Sequence, residues 1–283
     1  MIQIAGGLRQ RGTRDHGRAR RDLRAGALCL ALAVLPLGAQ DRREAEIRFL
    51  CFAPSPYTHR HDAMRAGFGI FLQLSKLIQE QKAPVKATFY DAVPALSDKA
   101  KAHQILRGPK VLVFGTSTWS QGSPYLIRQF FEYVGDEYLG GVEVTAWATA
   151  GGSHTGGEVT IADTLRSAMG SGASVFSLGQ RYMVFTTDER ITPEKEGEFT
   201  LLDCWFMDQF ARNLLVVALA DLDRERAAAL SKTLHVKAQY YRDLPTSEAQ
   251  LKKDFGDLQA TLNLAADQES VEFKSLLKRL TAY

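Results

Sequence analysis

An alternation of short apolar runs with segments of helical periodicity begins at residue 46 and limits the folds open to this chain. Such alternation is typical of a parallel sheet that helices cover on both faces. The fold class is therefore expected to be α/β. The sequence predicts five strands, which span residues 46–53, 85–90, 110–115, 142–149 and 173–178.

Helix-start residues mark several of the segments between these strands. Ser97 is predicted to cap the second helix, and Ser123 and Pro124 are predicted to begin the third. A fourth helix is expected over 158–169 and a fifth over 199–220. Because the fifth segment is rich in apolar residues, we expect that helix to pack on the sheet.

Five such units favour a doubly wound parallel sheet with strand order 2-1-3-4-5. In sheets of this kind, ligands bind beyond the carboxyl ends of the strands that flank the point where the strand order reverses. The loops after strands 1, 3 and 4 are therefore expected to converge on one site. Residues 222–283 are charged and helical in pattern, so we predict a domain over 41–221 and a helical extension over 222–283.

The first forty residues are predicted to be a cleaved export signal. Arginine-rich residues 9–24 precede an apolar run at 25–37, which is too short to span a bilayer and has the length of a signal-peptide core. Arg20 and Arg21 resemble a twin-arginine motif. The alternatives are an ordinary Sec signal, or a single membrane anchor if cleavage fails. Cleavage near Gln40 would leave a periplasmic or secreted protein without a stable membrane span.

The charge balance beyond this signal argues against nucleic-acid binding. The chain has 35 Lys and Arg residues and 32 Asp and Glu residues. Seven arginines and two aspartates lie within residues 1–40, which leaves 28 basic and 30 acidic residues in the remainder. A basic surface that would bind a phosphate backbone is therefore not expected.

Two of the three cysteines lie beyond the predicted signal, Cys51 on a predicted strand and Cys204 on a predicted helix. A disulfide framework is not expected from this pair, although an oxidising compartment would permit one. We interpret both as small buried apolar side chains and not as nucleophiles.

Three predicted loops carry groups that suit a phosphorylated ligand. Residues 54–61 combine hydroxyls, an imidazole and an arginine with the free N–H groups of a helix start, which suits a phosphate. Residues 116–122 combine hydroxyls with Trp119, which is expected to lie against a flat heterocycle or against the neighbouring helix. Residues 150–157 include four glycines, which allow the backbone to approach a ligand closely.

These loops resemble a known family of proteins. Ser55-Pro56-Tyr57-Thr58-His59 resembles the S-x-Y-G-H phosphate loop of the flavodoxin-like NAD(P)H:quinone oxidoreductases of the tryptophan-repressor-binding-protein type. Phe114-Gly115-Thr116-Ser117-Thr118 is similar to the F-G-T-P-T of that family. His154-Thr155-Gly156-Gly157-Glu158 is similar to its H-G-G-Q-E with one residue inserted. The resemblance covers residues 46 to about 180 and implies a flavodoxin-like fold.

The resemblance further implies that FMN is the cofactor and that the chain is a quinone reductase or an electron carrier. It assigns no catalytic residue and no metal ligand. The cofactor-binding residues that it implies are Ser55, Tyr57, Thr58 and His59 around the phosphate, Thr116, Ser117, Thr118 and Trp119 along the ribityl chain and the isoalloxazine ring, and Ala150, Gly151 and Gly152 at the polar edge of the flavin, with His154 beside them.

The partner that the resemblance implies is a quinone or another redox protein, and a homo-oligomer is left open. Because NAD(P)H is confined to the cytoplasm, an exported chain would take its electrons from another protein or from the quinol pool. Arg166 stands in the predicted fourth helix, where members of the family often place a histidine near the flavin.

Two other function classes remain alternatives at the level of sequence. One is a metal-dependent hydrolase, in which His59, His61 and Asp62 would bind zinc together with His154 from a converging loop. The other is a non-catalytic binding module of flavodoxin-like fold, with residues 222–283 as its partner surface.

Overall fold

The computed structural model of the chain describes eight stretches of sequence. They are 44–52, 62–118, 125–134, 139–150, 156–178, 182–186, 198–235 and 244–264. The predicted export signal, residues 1–40, lies outside them.

A parallel sheet forms the centre of the structure. Four of its strands are β1 (Ala45–Phe52), β2 (Val85–Asp91), β3 (Val111–Ser117) and β4 (Glu143–Ala150). A short β5 (Ser174–Val175) completes the order β2-β1-β3-β4-β5. Every neighbouring pair is parallel. The predicted order is confirmed, and the fold is flavodoxin-like, with its switch point between β1 and β3.

The edge of the sheet beside β4 differs from the prediction. The sequence predicts a single strand over 173–178, whereas β5 has two residues and a second short strand, β6 (Val184–Thr186), pairs with β4 closer to its carboxyl end. The chain leaves β4 after the Phe176 N–H donates to the Val144 carbonyl, and it returns where the Ala148 N–H donates to the Met183 carbonyl. Within the described residues the sheet therefore has six strands, and its edge is discontinuous.

Helices cover the sheet and continue beyond it. They are α1 (Asp62–Gln81), α2 (Lys99–Leu106), α3 (Tyr125–Val134), α4 (Gly157–Gly170), α5 (Leu201–Leu219), α6 (Arg224–Ser231) and α7 (Glu248–Leu264), with a 3₁₀ turn at Val93–Ser97.

One predicted helix cap is wrong. The Asp98 carboxylate caps α2 by accepting a hydrogen bond from the Lys101 N–H at 3.1 Å. Ser97 instead ends the preceding 3₁₀ turn, where its hydroxyl donates to the Pro94 carbonyl. The predicted cap residues of α3, Ser123 and Pro124, lie outside the described residues.

Aromatic side chains fill both faces of the sheet. On one face, the ring of Phe49 from β1 packs against Phe71 of α1 with centroids 5.7 Å apart. On the opposite face, Phe52 of the same strand packs against Phe130 of α3 at 5.0 Å. Since the two phenylalanines of β1 are three residues apart, they project to opposite sides of the strand. The prediction that helices cover both faces is confirmed.

The C-terminal helices pack on this core. Helix α7 buries four apolar side chains, Leu251, Phe255, Leu258 and Leu262. None of the described helices is both long enough and apolar enough to cross a membrane.

Both cysteines of the described residues, Cys51 and Cys204, are buried thiols. Burial raises the pKa of the Cys204 thiol far above its usual value, with a smaller contribution from the charge of Asp203. The thiolate is the nucleophilic form of cysteine, so Cys204 is unreactive in the folded state. Its interpretation as a buried apolar side chain is confirmed.

Candidate functional site

The carboxyl ends of β3 and β4 present paired hydroxyl side chains. Ser117 lies opposite Thr149 in the register of the two strands, and their hydroxyl oxygens share a hydrogen bond at 3.3 Å. The Thr118 N–H donates to the Thr149 carbonyl at 2.7 Å, which extends the pairing by one residue. The sequence pattern places Thr116 and Ser117 in a loop, but they are the last two residues of β3. Their side chains are therefore held by the sheet.

The end of β1 joins this edge through Thr116. The Thr116 hydroxyl donates to the Phe52 carbonyl at 3.0 Å, and the side chain is buried. Phe52 is the last residue of β1 and lies opposite Thr116 in the register. The hydroxyl of Thr116 thus ties β1 to β3 at the switch point of the fold, where a ligand is expected.

Helix α4 begins directly against the same edge. Gly156 precedes it with a φ of +87°, a left-handed conformation that favours glycine. At Gly157, the first residue of the helix, a methyl group would overlap the side chain of Val184 in β6. The glycine pair therefore allows the start of α4 to approach the end of β4 and the start of β6 closely.

A second hydroxyl pair connects α4 to β3. The Thr160 hydroxyl, on the first turn of α4, lies 3.2 Å from the Thr118 hydroxyl. A hydrogen bond between two hydroxyls uses one of their two protons and leaves the other available. The hydroxyls of Ser117 and Thr118 therefore carry no charge and can still donate hydrogen bonds at this edge of the sheet. Such an edge suits a neutral polyol better than it suits a metal ion.

The first turn of α1 lies beside this edge and is fixed by a buried tryptophan. The indole N–H of Trp147, in β4, donates to the Ala63 carbonyl of α1 at 2.9 Å. The ring occupies space that side chains at Gly67 and Gly115 would fill. Sequence patterns do not predict this contact. The one trace of it in the sequence is a glycine in each neighbouring element, Gly67 in α1 and Gly115 in β3.

The same turn contains an ion pair. The guanidinium of Arg65 contacts the carboxylate of Asp62, which is the first residue of α1. Asp62 is one of the four residues that the hydrolase alternative requires as metal ligands. The guanidinium offsets the charge of this carboxylate and occupies one of its oxygens, so Asp62 attracts a metal ion less strongly than an unpaired carboxylate would.

Most of the predicted site residues lie outside the described residues. Arg166, which is described, is exposed near the far end of α4 and pairs with Asp163 at 3.0 Å, away from the edge. No group of three metal-ligating side chains occurs within the stretches that the structure describes. Thr116, Ser117, Thr118 and Ala150 lie together at the sheet edge, whereas Ser55, Tyr57, Thr58, His59, Trp119, Gly151, Gly152 and His154, with His61 of the zinc alternative, are outside the described chain.

No protein-family model and no curated protein matches the sequence. Solved structures of similar fold include an oxidoreductase from Corynebacterium diphtheriae, with 16% identity and a TM-score of 0.47 over 62% of this chain and 98% of that one. A WrbA-like flavodoxin protein from Agrobacterium tumefaciens has 14% identity and a TM-score of 0.41 over 62% and 99% of the two chains. An NAD(P)H:quinone oxidoreductase from Methanothermobacter marburgensis has 14% identity and a TM-score of 0.42 over 61% and 100%. The assignment of the fold rests on strand order and register.

Proposed function

We propose that this chain binds FMN at the carboxyl edge of β1, β3 and β4 and acts as a flavin-dependent oxidoreductase or electron carrier. The observation that carries the proposal is the pair of hydroxyl contacts, Thr149 to Ser117 and Thr160 to Thr118, beside the switch point of a sheet with order 2-1-3-4-5. In flavodoxins, whose doubly wound sheet has this order, FMN binds at that point.

The residues at the edge fit the middle of an FMN molecule. The ribityl chain is a neutral polyol, and Ser117 and Thr118 are neutral hydroxyls that retain donor capacity. The close approach of α4 at Gly157 brings the N–H groups of a helix start to the same edge. These residues would hold the ribityl chain and one edge of the ring.

The remaining parts of the cofactor are assigned by the sequence motifs. The phosphate is proposed to bind Ser55, Tyr57, Thr58 and His59, in the segment that leads into α1. Trp119 and the residues from Gly151 to His154 are proposed to flank the ring. When bound, the flavin supplies the ability to accept and release electrons, and the protein positions and tunes it.

The proposed partner is a quinone or a redox protein, and the proposed location is the periplasm or the exterior of the cell. The predicted export signal at residues 1–40 supports this location, because its arginine-rich and apolar parts have the order found in signal peptides. Electrons would then come from a protein or a quinol and not from NAD(P)H.

The spectrum and bound small molecules of the purified full chain test this function. We expect a yellow protein, and we expect heat denaturation to release FMN that mass spectrometry identifies. If the preparation is colourless, the chain is titrated with FMN, and tight binding of one FMN per chain is expected. A colourless chain that binds no FMN would instead support the non-catalytic module, and stoichiometric zinc by elemental analysis would support the hydrolase.

A further inference from the structure

Two hydroxyl pairs meet at the end of β3, and in each pair a deeply buried threonine contacts a less buried partner. Thr149 is 3% exposed, and its hydroxyl oxygen lies 3.3 Å from that of Ser117, which is 9% exposed. Thr160 is fully buried, and its hydroxyl oxygen lies 3.2 Å from that of the half-buried Thr118. We call Thr149 and Thr160 the inner threonines, and we call the hydroxyls of Ser117 and Thr118 the outer hydroxyls.

The two pairs lie on opposite faces of the sheet. Thr149 is two residues after Trp147 in β4, so both side chains project to the face on which Trp147 reaches α1. Thr118 directly follows Ser117 at the end of β3 and projects to the other face, where Thr160 of α4 meets it. A ligand that crosses the end of β3 would therefore meet an outer hydroxyl on each side of the strand.

Backbone hydrogen bonds hold the residues of both pairs in place. The Thr118 N–H donates to the Thr149 carbonyl at 2.7 Å, and the Thr160 N–H donates to the Gly156 carbonyl at 3.0 Å. One turn further along α4, the Thr164 hydroxyl donates to the Thr160 carbonyl at 2.8 Å. The branched Cβ of threonine also restricts rotation about χ1. The main freedom left to the Thr118 side chain is therefore the direction of its hydroxyl proton.

The direction of the hydrogen bond within each pair decides what the outer hydroxyl can offer to a ligand. If the outer hydroxyl donates inward, its proton is used and only its lone pairs face the ligand. If the inner threonine donates outward, the outer hydroxyl accepts that bond, and its own proton is free to face the ligand. A hydroxyl that accepts one hydrogen bond is also a stronger donor, because successive hydrogen bonds polarise one another.

We propose that Thr149 and Thr160 are positioning residues for the flavin. Each donates to its outer hydroxyl and so directs the proton of Ser117 or Thr118 toward the ribityl chain. This inference rests on the proposed function, in which the ribityl chain lies against these two outer hydroxyls. The inner threonines act through their partners and need no contact with the flavin. Because the contacts are with the ribityl chain, FMN and riboflavin, which lacks the phosphate, are affected alike.

Double-mutant cycles test this role in fluorescence titrations of the flavin-free full chain with FMN and with riboflavin. Thr160→Val removes the hydroxyl and keeps the branched shape. Thr160→Val and Thr118→Val are each expected to weaken both flavins by roughly threefold, the size of one neutral hydrogen bond. The double variant is also expected to lose roughly threefold, because the Thr160 hydroxyl acts only through that of Thr118. If Thr160 merely packed α4, the two losses would multiply to roughly ninefold.

The pair on the other face is tested in the same way. Thr149→Val, Ser117→Ala and their double variant are each expected to weaken both flavins by roughly threefold. Thr160→Ser removes a methyl group and keeps the hydroxyl. It is expected to bind both flavins as the wild type does, and a loss as large as that of Thr160→Val would overturn the role of the Thr160 hydroxyl.

Thr164→Val and Thr145→Val are the matched controls. Thr164 is buried one turn after Thr160 on the same helix, and its hydroxyl donates within that helix. Thr145 is buried in β4 four residues before Thr149, on the same face of the strand. Each control removes a buried threonine hydroxyl away from the outer hydroxyls and is expected to bind both flavins as the wild type does. A threefold loss in either control would overturn the assignment to the inner threonines.

The wild-type titration separates this inference from the proposed function. If the wild type binds FMN but Thr149→Val and Thr160→Val bind it equally well, the inference is overturned and the proposed function stands. The same conclusion follows if the losses multiply in both double variants. If the wild type binds neither FMN nor riboflavin, both the inference and the proposed function are overturned.

Discussion

The indole N–H of Trp147 donates to the carbonyl oxygen of Ala63, 84 residues earlier in the chain, at 2.9 Å. This bond crosses from strand β4 of the sheet to the first turn of α1. The ring fits because two glycines, Gly67 in α1 and Gly115 in β3, leave space for it. A single buried side chain therefore aligns the start of α1 with β3 and β4, two of the three strands whose ends form the candidate site.

A substitution at Gly115 tests this packing. Gly115→Ala is expected to lower the free energy of unfolding by about 1–3 kcal/mol, because the added methyl group would overlap the ring of Trp147. Urea unfolding measures the change. Gly170→Ala is the control, since a methyl group at that helical position meets no atom within 4 Å and the position has no positive φ. Equal free energies of unfolding for the two variants would contradict the close packing of Trp147 against Gly115.

A methyl group at Gly157 is expected to push the start of α4 away from the sheet edge. Gly157→Ala should weaken FMN binding by on the order of tenfold, since the methyl group would overlap a methyl group of Val184 in β6. Isothermal titration of the full chain with FMN measures the effect. The double variant Gly157→Ala with Val184→Ala should recover most of the affinity, and a double variant as weak as the single one would refute the explanation.

Substitutions at the hydroxyl edge should affect FMN and riboflavin alike. Ser117→Ala with Thr118→Val removes donors to the ribityl chain, which both flavins contain. We expect both affinities to fall by roughly tenfold. Ser167→Ala is the control, because the Ser167 hydroxyl donates to the Asp163 carbonyl within α4.

The proposed phosphate residues should show a different pattern in the same flavin titrations. Ser55→Ala with Thr58→Ala removes donors to the phosphate and is expected to weaken FMN far more than riboflavin. Equal losses of both flavins from this double variant would show that the phosphate is misplaced in the proposal.

Acid is expected to weaken the ion pair between Glu46 and Arg48, which lies near the amino end of β1 and away from the candidate site. Burial acts to raise the pKa of Glu46, but the hydrogen bond and charge of Arg48 outweigh it and hold that pKa below its usual value. The stabilising contribution of Glu46 is therefore complete above the ordinary glutamate pKa and is lost as the pH falls through the lower folded-state value. Glu46→Gln should lower stability in urea near neutral pH, and the difference from wild type should shrink in acid. A difference independent of pH would contradict this.

A double variant of the predicted twin-arginine motif tests the proposed export route. Arg20→Lys with Arg21→Lys should trap the uncleaved precursor in the cytoplasm, because that export route requires the two arginines. Cell fractionation and immunoblotting measure the distribution of the chain. Unchanged export of the double variant would assign the signal to the Sec route.

The four long strands of the sheet, which pair continuously with their neighbours, were predictable from the sequence. β1, β2, β3 and β4 are short apolar runs bounded by polar segments, and their order follows from the alternation of strands and helices. The predicted end of β3 is too early, because Thr116 and Ser117 are polar. Their hydroxyl hydrogen bonds to β1 and β4, which a local pattern does not show, keep them in the sheet.

The contacts that shape the site were not predictable. The Arg65 guanidinium donates to the Leu262 carbonyl in α7, 197 residues later in the chain, although a basic residue on a helix usually faces solvent. Similarly, the discontinuous edge strand depends on where β4 accepts a second partner, β6, whose three residues are too few to give a periodic signal. Local sequence indicates which elements form, whereas these features depend on pairs of residues that only the tertiary fold brings together.

A crystal structure of the full chain grown with FMN is the decisive test of the proposed binding site. We predict density for one FMN per chain, with the ribityl chain against the hydroxyls of Ser117 and Thr118 and the phosphate before the first turn of α1. FMN bound elsewhere, or side chains that fill the space between the ends of β1, β3 and β4 in crystals saturated with FMN, would contradict the proposed site.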